Sequence, residues 1–276
     1  MTKELPDANA ERPEDDVEMG FFDHLRELRT RIVRALYGVV PGVIAGWLFK
    51  EQLLDLLLKP WIAAWHNLDL GDPQIHFANP LDPFVAYLKI AMVVGVLAGA
   101  PWIFWQIWGF IAPGLYRKEK RMALPFVFFS TVCFVGGAAF GYIIVFPMAF
   151  ETFLGFGGML PSHDIVVQPT IMITEYLNLV TRLLLAFGIV FEVPVVVTFL
   201  AAMGMVNGFM LLRFSRWWVL IAALLSAILT PPDVASQIMM LVPLVVLYFI
   251  SVGIAFVIGD RRKKRAEAEN TEGYER

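Results

Sequence analysis

Glu192 is an acidic residue within an apolar segment that is long enough to cross a membrane. Its immediate sequence, residues 191–194, is Phe-Glu-Val-Pro. A charged carboxylate at membrane depth costs about 2.5 kcal/mol or more, so we expect this side chain to be neutral or to face a cavity or a partner. Pro194 frees a backbone carbonyl nearby, which favours a polar pocket. Arg182 shares a helix face with Glu175 and not with Glu192. The ordinary interpretation of Arg182 is that its long side chain extends to the membrane interface.

Two further acids lie among basic residues in polar stretches next to apolar segments. Glu27 lies within residues 22–31, and Glu119 lies within residues 106–121. Lysine and arginine set the orientation of a membrane protein, whereas acids contribute little to it, so topology explains the bases but not these acids. A cationic ligand at this surface is one explanation, because guanidinium groups pair with carboxylates through two parallel hydrogen bonds.

No motif of enzymatic chemistry accompanies these residues. The sequence has no G-x-x-x-x-G-K-[ST] phosphate loop, no H-E-x-x-H metal motif and no G-x-S-x-G nucleophile motif. Its four histidines are scattered over different segments, and Cys133 is its one cysteine. We therefore expect no catalytic residue, no metal site, no cofactor and no enzymatic activity.

The composition is that of a membrane protein with several spans. Of the 276 residues, 58% are apolar and only 17% are charged, and the mean hydropathy is +0.66. An average soluble chain has about 25% charged residues. The basic run at 261–265 directly follows an apolar stretch, which favours a cytoplasmic stop-transfer flank over a nucleic-acid site.

Six apolar segments predict an all-α polytopic membrane protein. They cover residues 32–49, 84–110, 124–150, 176–205, 217–229 and 238–258. The fifth would reach only about 20 Å, so either its polar ends extend it or the membrane thins locally. The turn at 230–233 then makes the fifth and sixth segments a short hairpin. Residues 51–60 predict an amphipathic helix at the interface, with Trp61 and Trp65 at headgroup level.

The basic residues fall in alternate polar stretches, which predicts that both termini are cytoplasmic. The basic clusters lie in the N-terminal flank, at 117–121, at 213–216 and at 261–265. We expect a disordered acidic cytoplasmic tail over residues 1–20 and a six-helix transmembrane domain over 21–259. A basic and then polar cytoplasmic tail follows over 260–276.

Four stretches together resemble the TatC family, the multispanning receptor subunit of the twin-arginine protein translocase. Residues 24–29 match H-L-x-E-L-R, and residues 106–121 contain F-I-A-P-x-L-Y followed by the loop glutamate. Residues 187–194 match F-G-x-x-F-E-x-P, and residues 229–237 contain T-P-P-D-x-x-S-Q. The resemblance covers residues 21–259, with the four stretches in order along six spans.

The resemblance implies a receptor for folded proteins whose signal peptides carry paired arginines. It implies that Glu27 and Glu119 form the acidic site for that pair, and that Arg29 and Phe110 shape it. It also implies export energised by the proton gradient, in the bacterial cytoplasmic (inner) membrane.

The resemblance assigns further roles along the chain. Pro60 would hold a periplasmic cap, and Glu192 would be the intramembrane polar site of a concave bundle. Thr230 and Gln237 would dock single-span subunits of the TatA and TatB type. The implied partners are these subunits, twin-arginine signal peptides, the lipid bilayer and further copies of the chain, with no nucleic acid.

Two other classes of function compete with this interpretation. In a secondary transporter or channel for a small solute, Glu192 and Arg182 would be the ion or substrate residues. The lack of an internal repeat, the short fifth segment and the position of the other acids at the surface count against it. A purely structural scaffold leaves Glu192 and Glu119 unexplained.

Overall fold

The structure is a computed structural model that describes residues 21–111, 123–159, 166–167, 169–230 and 234–274. Its α-helices are α1 (Phe21–Leu48), α2 (Lys50–Asn67), α3 (Asp82–Ile111), α4 (Ala123–Phe140), α5 (Phe146–Leu154), α6 (Ile173–Val190), α7 (Val193–Ala202), α8 (Gly208–Leu229) and α9 (Val234–Tyr274). One π-helical turn, Gly141–Val145, joins α4 to α5. The strands are β1 (Ile75–His76), β2 (Gly158–Met159), β3 (Val166–Val167) and β4 (Ile171–Met172).

Six helical stretches of the described chain are long and apolar enough to cross a membrane, as the sequence predicts. They are Phe22–Leu48, Asp82–Ile111, Leu124–Leu154, Ile173–Ala202, Gly208–Leu229 and Ser236–Asp260. The last two are the shortest, at 22 and 25 residues. The all-α polytopic class is therefore confirmed.

The fifth span is longer than its apolar core, because its polar end belongs to the helix. The side chain of Asn207 accepts a hydrogen bond of 2.8 Å from the backbone N–H of Met210 and caps the start of α8. Arg213 and Arg216 therefore lie inside the helix, and of the two expected alternatives the extension by polar ends is confirmed. At 22 residues, α8 reaches about 33 Å, which is enough to cross the hydrocarbon core.

Small residues let α1 and α3 pack with their backbones close together. Gly38, Gly42 and Gly46 recur every fourth residue along α1. A Cβ atom on Gly42 would lie 2.9 Å from the Cα of Gly95, and one on Gly46 would lie 2.9 Å from the Cα of Ala91. Close approach through small residues is a common way for membrane helices to associate. It fixes the start of α1 beside the end of α3.

The fourth span is interrupted at Phe191 and Glu192, between α6 and α7. Pro194 lies in the first turn of α7, where a missing N–H is tolerated. The backbone N–H of Glu192 turns to the carbonyl of Ile189 at 3.1 Å. The carboxyl group predicted to mark a polar pocket therefore sits at the one break in this span.

Helix α2 closes one end of the bundle, and tyrosines fasten it there. Tyr142 donates a hydrogen bond of 2.7 Å to the carbonyl of Leu56, and Tyr176 donates one of 2.6 Å to the carbonyl of Leu57. The predicted helix at 51–60 is present and longer. Trp61 and Trp65 are 3% and 6% exposed, so they pack inside the protein. Their depth at headgroup level stays a prediction.

The connections at the α2 end are also held by strand pairing. Strands β1 and β4 pair in parallel, with Ile75 opposite Ile171, and they directly precede α3 and α6. Both of these helices therefore start at the α2 end. At the other extreme of the chain, α9 continues as one helix through the basic run to Tyr274.

Candidate functional site

Glu27 forms an ion pair with Arg31, one helical turn further along α1. Both the Nε and the Nη2 atoms of Arg31 donate to the same oxygen, Oε1 of Glu27, at 2.8 and 2.7 Å. The other oxygen, Oε2, is buried and has no hydrogen-bond partner within the described part of the chain. An unsatisfied buried acceptor is unfavourable, so a donor brought by a ligand is favoured at this atom.

The end of α3 forms the floor of this site. The ring of Phe110 stacks on His24, with centroids 4.4 Å apart and planes at 18°. Arg31 lies against Gly109, where a Cβ atom would come within 2.4 Å of its Nη1 atom. The structure thus brings Glu27 and Phe110 to one place. Arg29 is exposed on the same helix end.

Glu119 lies outside the described residues, which resume at 123. The described chain on either side is α3, which ends at Ile111, and α4, which begins at Ala123. That Glu119 and Glu27 form one acidic site therefore stays a prediction.

A second polar site surrounds Glu192, inside the bundle. Ser130 of α4 is fully buried, and its hydroxyl lies close to the Glu192 carboxyl. Trp108 of α3 donates from Nε1 to the hydroxyl of Ser130 at 3.0 Å. The Oε1 atom of Glu192 is buried without a partner among the described residues. Three spans therefore meet at one buried polar cluster, in which one acceptor has no donor among the described residues.

The last turn of α3 connects the two sites. Trp108 faces the Glu192 network through Ser130, and Phe110, two residues later, faces His24 at the start of α1. Trp108 is also fixed by the rings of Phe126 and Phe199, with centroids 4.9 and 4.8 Å away. A change at the end of α3 would therefore reach both sites.

A third polar group holds the end of α8 to the start of α9. The hydroxyl of Thr230 donates to the carbonyl of Ser226 at 2.8 Å, and the hydroxyl of Ser226 donates to the carbonyl of Gln237 at 2.6 Å. The structure thus brings Thr230 and Gln237 together through Ser226. Both side chains are half-buried on this turn.

Pro60 lies in α2 at the opposite end of the bundle from Glu27, and it is buried. A cavity of about 250 Å³ opens nearby, lined by Trp61, Tyr176 and Glu175 among others, and it includes no predicted site residue. In the part of the chain that the structure describes, no group of three or more histidine, cysteine, aspartate or glutamate residues could hold a metal ion.

Three residues of these sites were missed by sequence reasoning. Arg31 stands four residues after Glu27, a spacing that predicts an ion pair on one helix face. Ser130 and Ser226 gave no such signal, because a lone serine in an apolar helix usually bonds to its own backbone.

Comparisons with known proteins agree on one family. The family model described as "Sec-independent protein translocase protein (TatC)" matches residues 23–243. A TatC protein of Desulforapulum autotrophicum is 43% identical over 255 residues, which cover 91% of this chain and 90% of that protein. One of Koribacter versatilis is 38% identical and covers 92% of each chain. A crystal structure described as "Twin Arginine Translocase Receptor- TatC" superposes with a TM-score of 0.73 at 31% identity, and the match covers 85% of this chain and 99% of that one.

Proposed function

The chain belongs to the TatC family of Sec-independent protein translocase proteins, and from that premise we propose that it is the receptor and core subunit of a twin-arginine translocase. As a member of this family it is a multi-pass membrane protein and not an enzyme. It binds twin-arginine signal peptides at its cytoplasmic face and organises the export of folded proteins. Family membership favours this function over a solute transporter or a scaffold.

The observation that carries the proposal is that only one of the two carboxylate oxygens of Glu27 has a hydrogen-bond donor among the described residues. Oε1 is taken by Arg31, while Oε2 is left without a donor among the described residues. An arginine of the signal peptide would supply that donor through a charge-assisted hydrogen bond. A lysine presents one compact ammonium group instead of a planar fork and fits such a site less well.

The second arginine of the pair is assigned to Glu119, on the basis of the family motif alone. Phe110, stacked on His24, would form an apolar wall beside the peptide. Arg29 is exposed and stays free to contact lipid phosphates or the peptide backbone. The apolar part of the signal peptide would then run along the bundle towards Glu192.

Partners of the single-span TatA and TatB type would dock at Thr230 and Gln237. The support is the hydrogen-bonded turn in which Ser226 joins the two residues. Pro60 would hold the α2 cap on the periplasmic side. These parts, together with further copies of the chain, would form the translocase complex.

The membrane proposed is the bacterial cytoplasmic membrane, with both termini in the cytoplasm. The positive-inside rule supports this orientation, because the basic clusters of the sequence fall in alternate polar stretches between the six apolar segments. The proton gradient would energise transport, in keeping with the absence of a Walker motif from the sequence.

A peptide-binding experiment tests the proposal. Full-length protein in mild detergent is given a photoreactive twin-arginine signal peptide and, separately, its twin-lysine version. We expect arginine-dependent crosslinks near Glu27 and a loss of affinity of about tenfold in Glu27→Gln, the scale of one charge-assisted hydrogen bond.

Asp23→Asn is the matched control, because it removes one acid from the same helix end. Asp23 is exposed and contacts Arg26 only loosely, at 3.9 Å. Equal binding of both peptides, or unchanged binding by Glu27→Gln, would contradict the receptor assignment of this site.

A further inference from the structure

Lys89 and Arg182 are basic side chains inside membrane-spanning helices, and the translocase function gives neither a role. Lys89 lies on α3, seven residues after Asp82, and Arg182 lies on α6, nine residues after Ile173. Both helices start at the α2 end, where β1 pairs with β4. The two cations therefore lie at matched depths, about 10 and 14 Å along their helices.

Asn178 joins the two cations into one patch. The Nζ atom of Lys89 donates a hydrogen bond to the Oδ1 atom of Asn178. Asn178 and Arg182 are four residues apart on α6 and so share a face. Since Lys89 occupies the amide oxygen of Asn178, the NH₂ group of that amide remains as a donor. We call Lys89, Asn178 and Arg182 the basic patch.

The basic patch has no acidic counterpart in the described part of the chain. No described carboxylate oxygen lies within 4 Å of either cation, and Arg182 is exposed without a hydrogen bond or ion pair to any described residue. Glu175 is exposed one or two turns closer to the helix start and pairs with neither cation. The patch therefore offers donors and positive charge only, which is the chemistry that recognises an oxyanion.

Depth identifies the kind of oxyanion. The span Ile173–Ala202 has 30 residues and is about 45 Å long, against a hydrocarbon core of about 30 Å. If the span is centred, Arg182 starts about 6 Å inside the core boundary, and its long side chain reaches the headgroup region. Phosphate groups of lipid headgroups lie at that level.

We propose that the basic patch binds the phosphate of a lipid headgroup in the leaflet at the α2 end. The Arg182 guanidinium pairs with two phosphate oxygens, and the Lys89 ammonium and the Asn178 amide hold a third. The lipid is drawn onto the bundle between α3 and α6. The proposal requires only that the chain spans a membrane, and it is independent of signal-peptide binding.

Lipid retention tests the proposal. Full-length protein in a phosphate-free maltoside detergent is incubated with phosphatidylglycerol or with diacylglycerol, which lacks the phosphate, and bound lipid is counted by native mass spectrometry. We expect tight retention of phosphatidylglycerol only, lowered about tenfold in the double variant Lys89→Gln, Arg182→Gln. Inorganic phosphate, which has no acyl chains to anchor it, should not displace the lipid.

Two further variants separate binding from folding and from overall charge. Arg182→Lys keeps the cation but loses the planar fork, so it should retain less lipid than the unchanged chain and more than the double variant. Lys59→Gln removes an exposed cation that pairs only with Asp55, at 3.9 Å on α2, and should change nothing. Equal retention of diacylglycerol, or full retention by the double variant, would overturn the proposal. Unchanged lipid with weaker copurification of single-span subunits would assign the cations to a partner's carboxylate instead.

Discussion

Arg31 places two of its nitrogen atoms on one oxygen of Glu27 and none on the other. A paired carboxylate is usually a structural feature, because its charge is already compensated. Here the geometry leaves Oε2 buried and unsatisfied among the described residues. Glu27 is therefore held in place by its own helix and still lacks one hydrogen-bond donor, which an incoming guanidinium group would supply.

The first prediction concerns the charge of Arg31. Arg31→Gln keeps an amide donor for Oε1 but removes the positive charge that repels a twin-arginine peptide. We expect peptide binding to tighten by up to about fivefold at low salt, the scale of a partly exposed charge pair. The difference should shrink at high salt, because exposed charges are screened.

Fluorescence anisotropy of a labelled signal peptide measures this effect, and Arg26→Gln is the control on the same helix end. The Arg26 side chain is 83% exposed and lies 3.9 Å from Asp23 rather than on Glu27. Weaker binding by Arg31→Gln would show that Arg31 positions Glu27 and does not compete with the ligand.

The second prediction concerns the network around Glu192. Ser130→Ala removes the hydroxyl that accepts from Trp108 and lies close to the Glu192 carboxyl. We expect a loss of about 1–3 kcal/mol in the free energy of unfolding, because buried polar groups lose their partner. In a Glu192→Leu background the loss should be smaller, since one of those groups is gone.

Ser251→Ala is the control for this double-mutant cycle. Ser251 is equally buried, but it bonds only to the carbonyl of Leu247 in its own helix. The chain is unfolded in detergent, and the reaction of a thiol-reactive dye with Cys133, as unfolding exposes it, is followed. The unfolding curves give the free energies. Additive losses for Ser130 and Glu192 would mean that the two residues are not coupled.

Hydrophobic pattern and charge were enough to predict the six spans, the α2 helix and the last hairpin. They could not locate the start of α8, because Arg213 and Arg216 look like loop residues until the Asn207 cap is seen. They also could not predict that Trp61 and Trp65 are buried, because tryptophan suits both an exposed interface and a protein interior. The side-chain pairs within the sites depend on how the helices pack against each other, and the hydrophobic periodicity of the sequence does not predict that packing.

The third prediction concerns the turn between α8 and α9. Gln237→Leu keeps the backbone carbonyl that accepts from Ser226 but removes the amide proposed to meet a single-span partner. We expect copurification of TatA- or TatB-type subunits to fall while the chain stays folded. Gln52→Leu, on the exposed side of α2, is the matched control. Equal copurification by the two variants would remove Gln237 from the docking surface.

The fourth prediction concerns the glycine contact between α1 and α3. In Gly42→Ala the new methyl group would meet the Cα of Gly95 at 2.9 Å, and a backbone atom cannot move aside cheaply. We expect a loss of about 1–3 kcal/mol, as for overpacking in a tight core. Gly136→Ala, whose Cβ would meet nothing within 4 Å, should not lower the melting temperature. Equal stability of the two variants would show that the helices tolerate a wider separation.

The last prediction concerns the reason for a proline in the middle of α2. Proline has no N–H, so Pro60 leaves the carbonyl of Leu56, four residues earlier, without its helical donor. That carbonyl is the one that accepts 2.7 Å from the hydroxyl of Tyr142. Pro60 thus exposes an acceptor through which the α2 cap is fastened to the π-helical turn of the third span. Its role follows from the bond it lacks.

A double-mutant cycle distinguishes this role from simple packing. Tyr142→Phe should lower the free energy of unfolding by about 0.5–1.5 kcal/mol with Pro60 present, because the Leu56 carbonyl loses its partner. In a Pro60→Ala background, residue 60 supplies the donor itself, so the same change should cost less. Tyr176→Phe is the control, since its acceptor is the carbonyl of Leu57, which Pro60 does not free. If the loss from Tyr142→Phe is the same in both backgrounds, Pro60 acts by filling space and not by freeing the carbonyl.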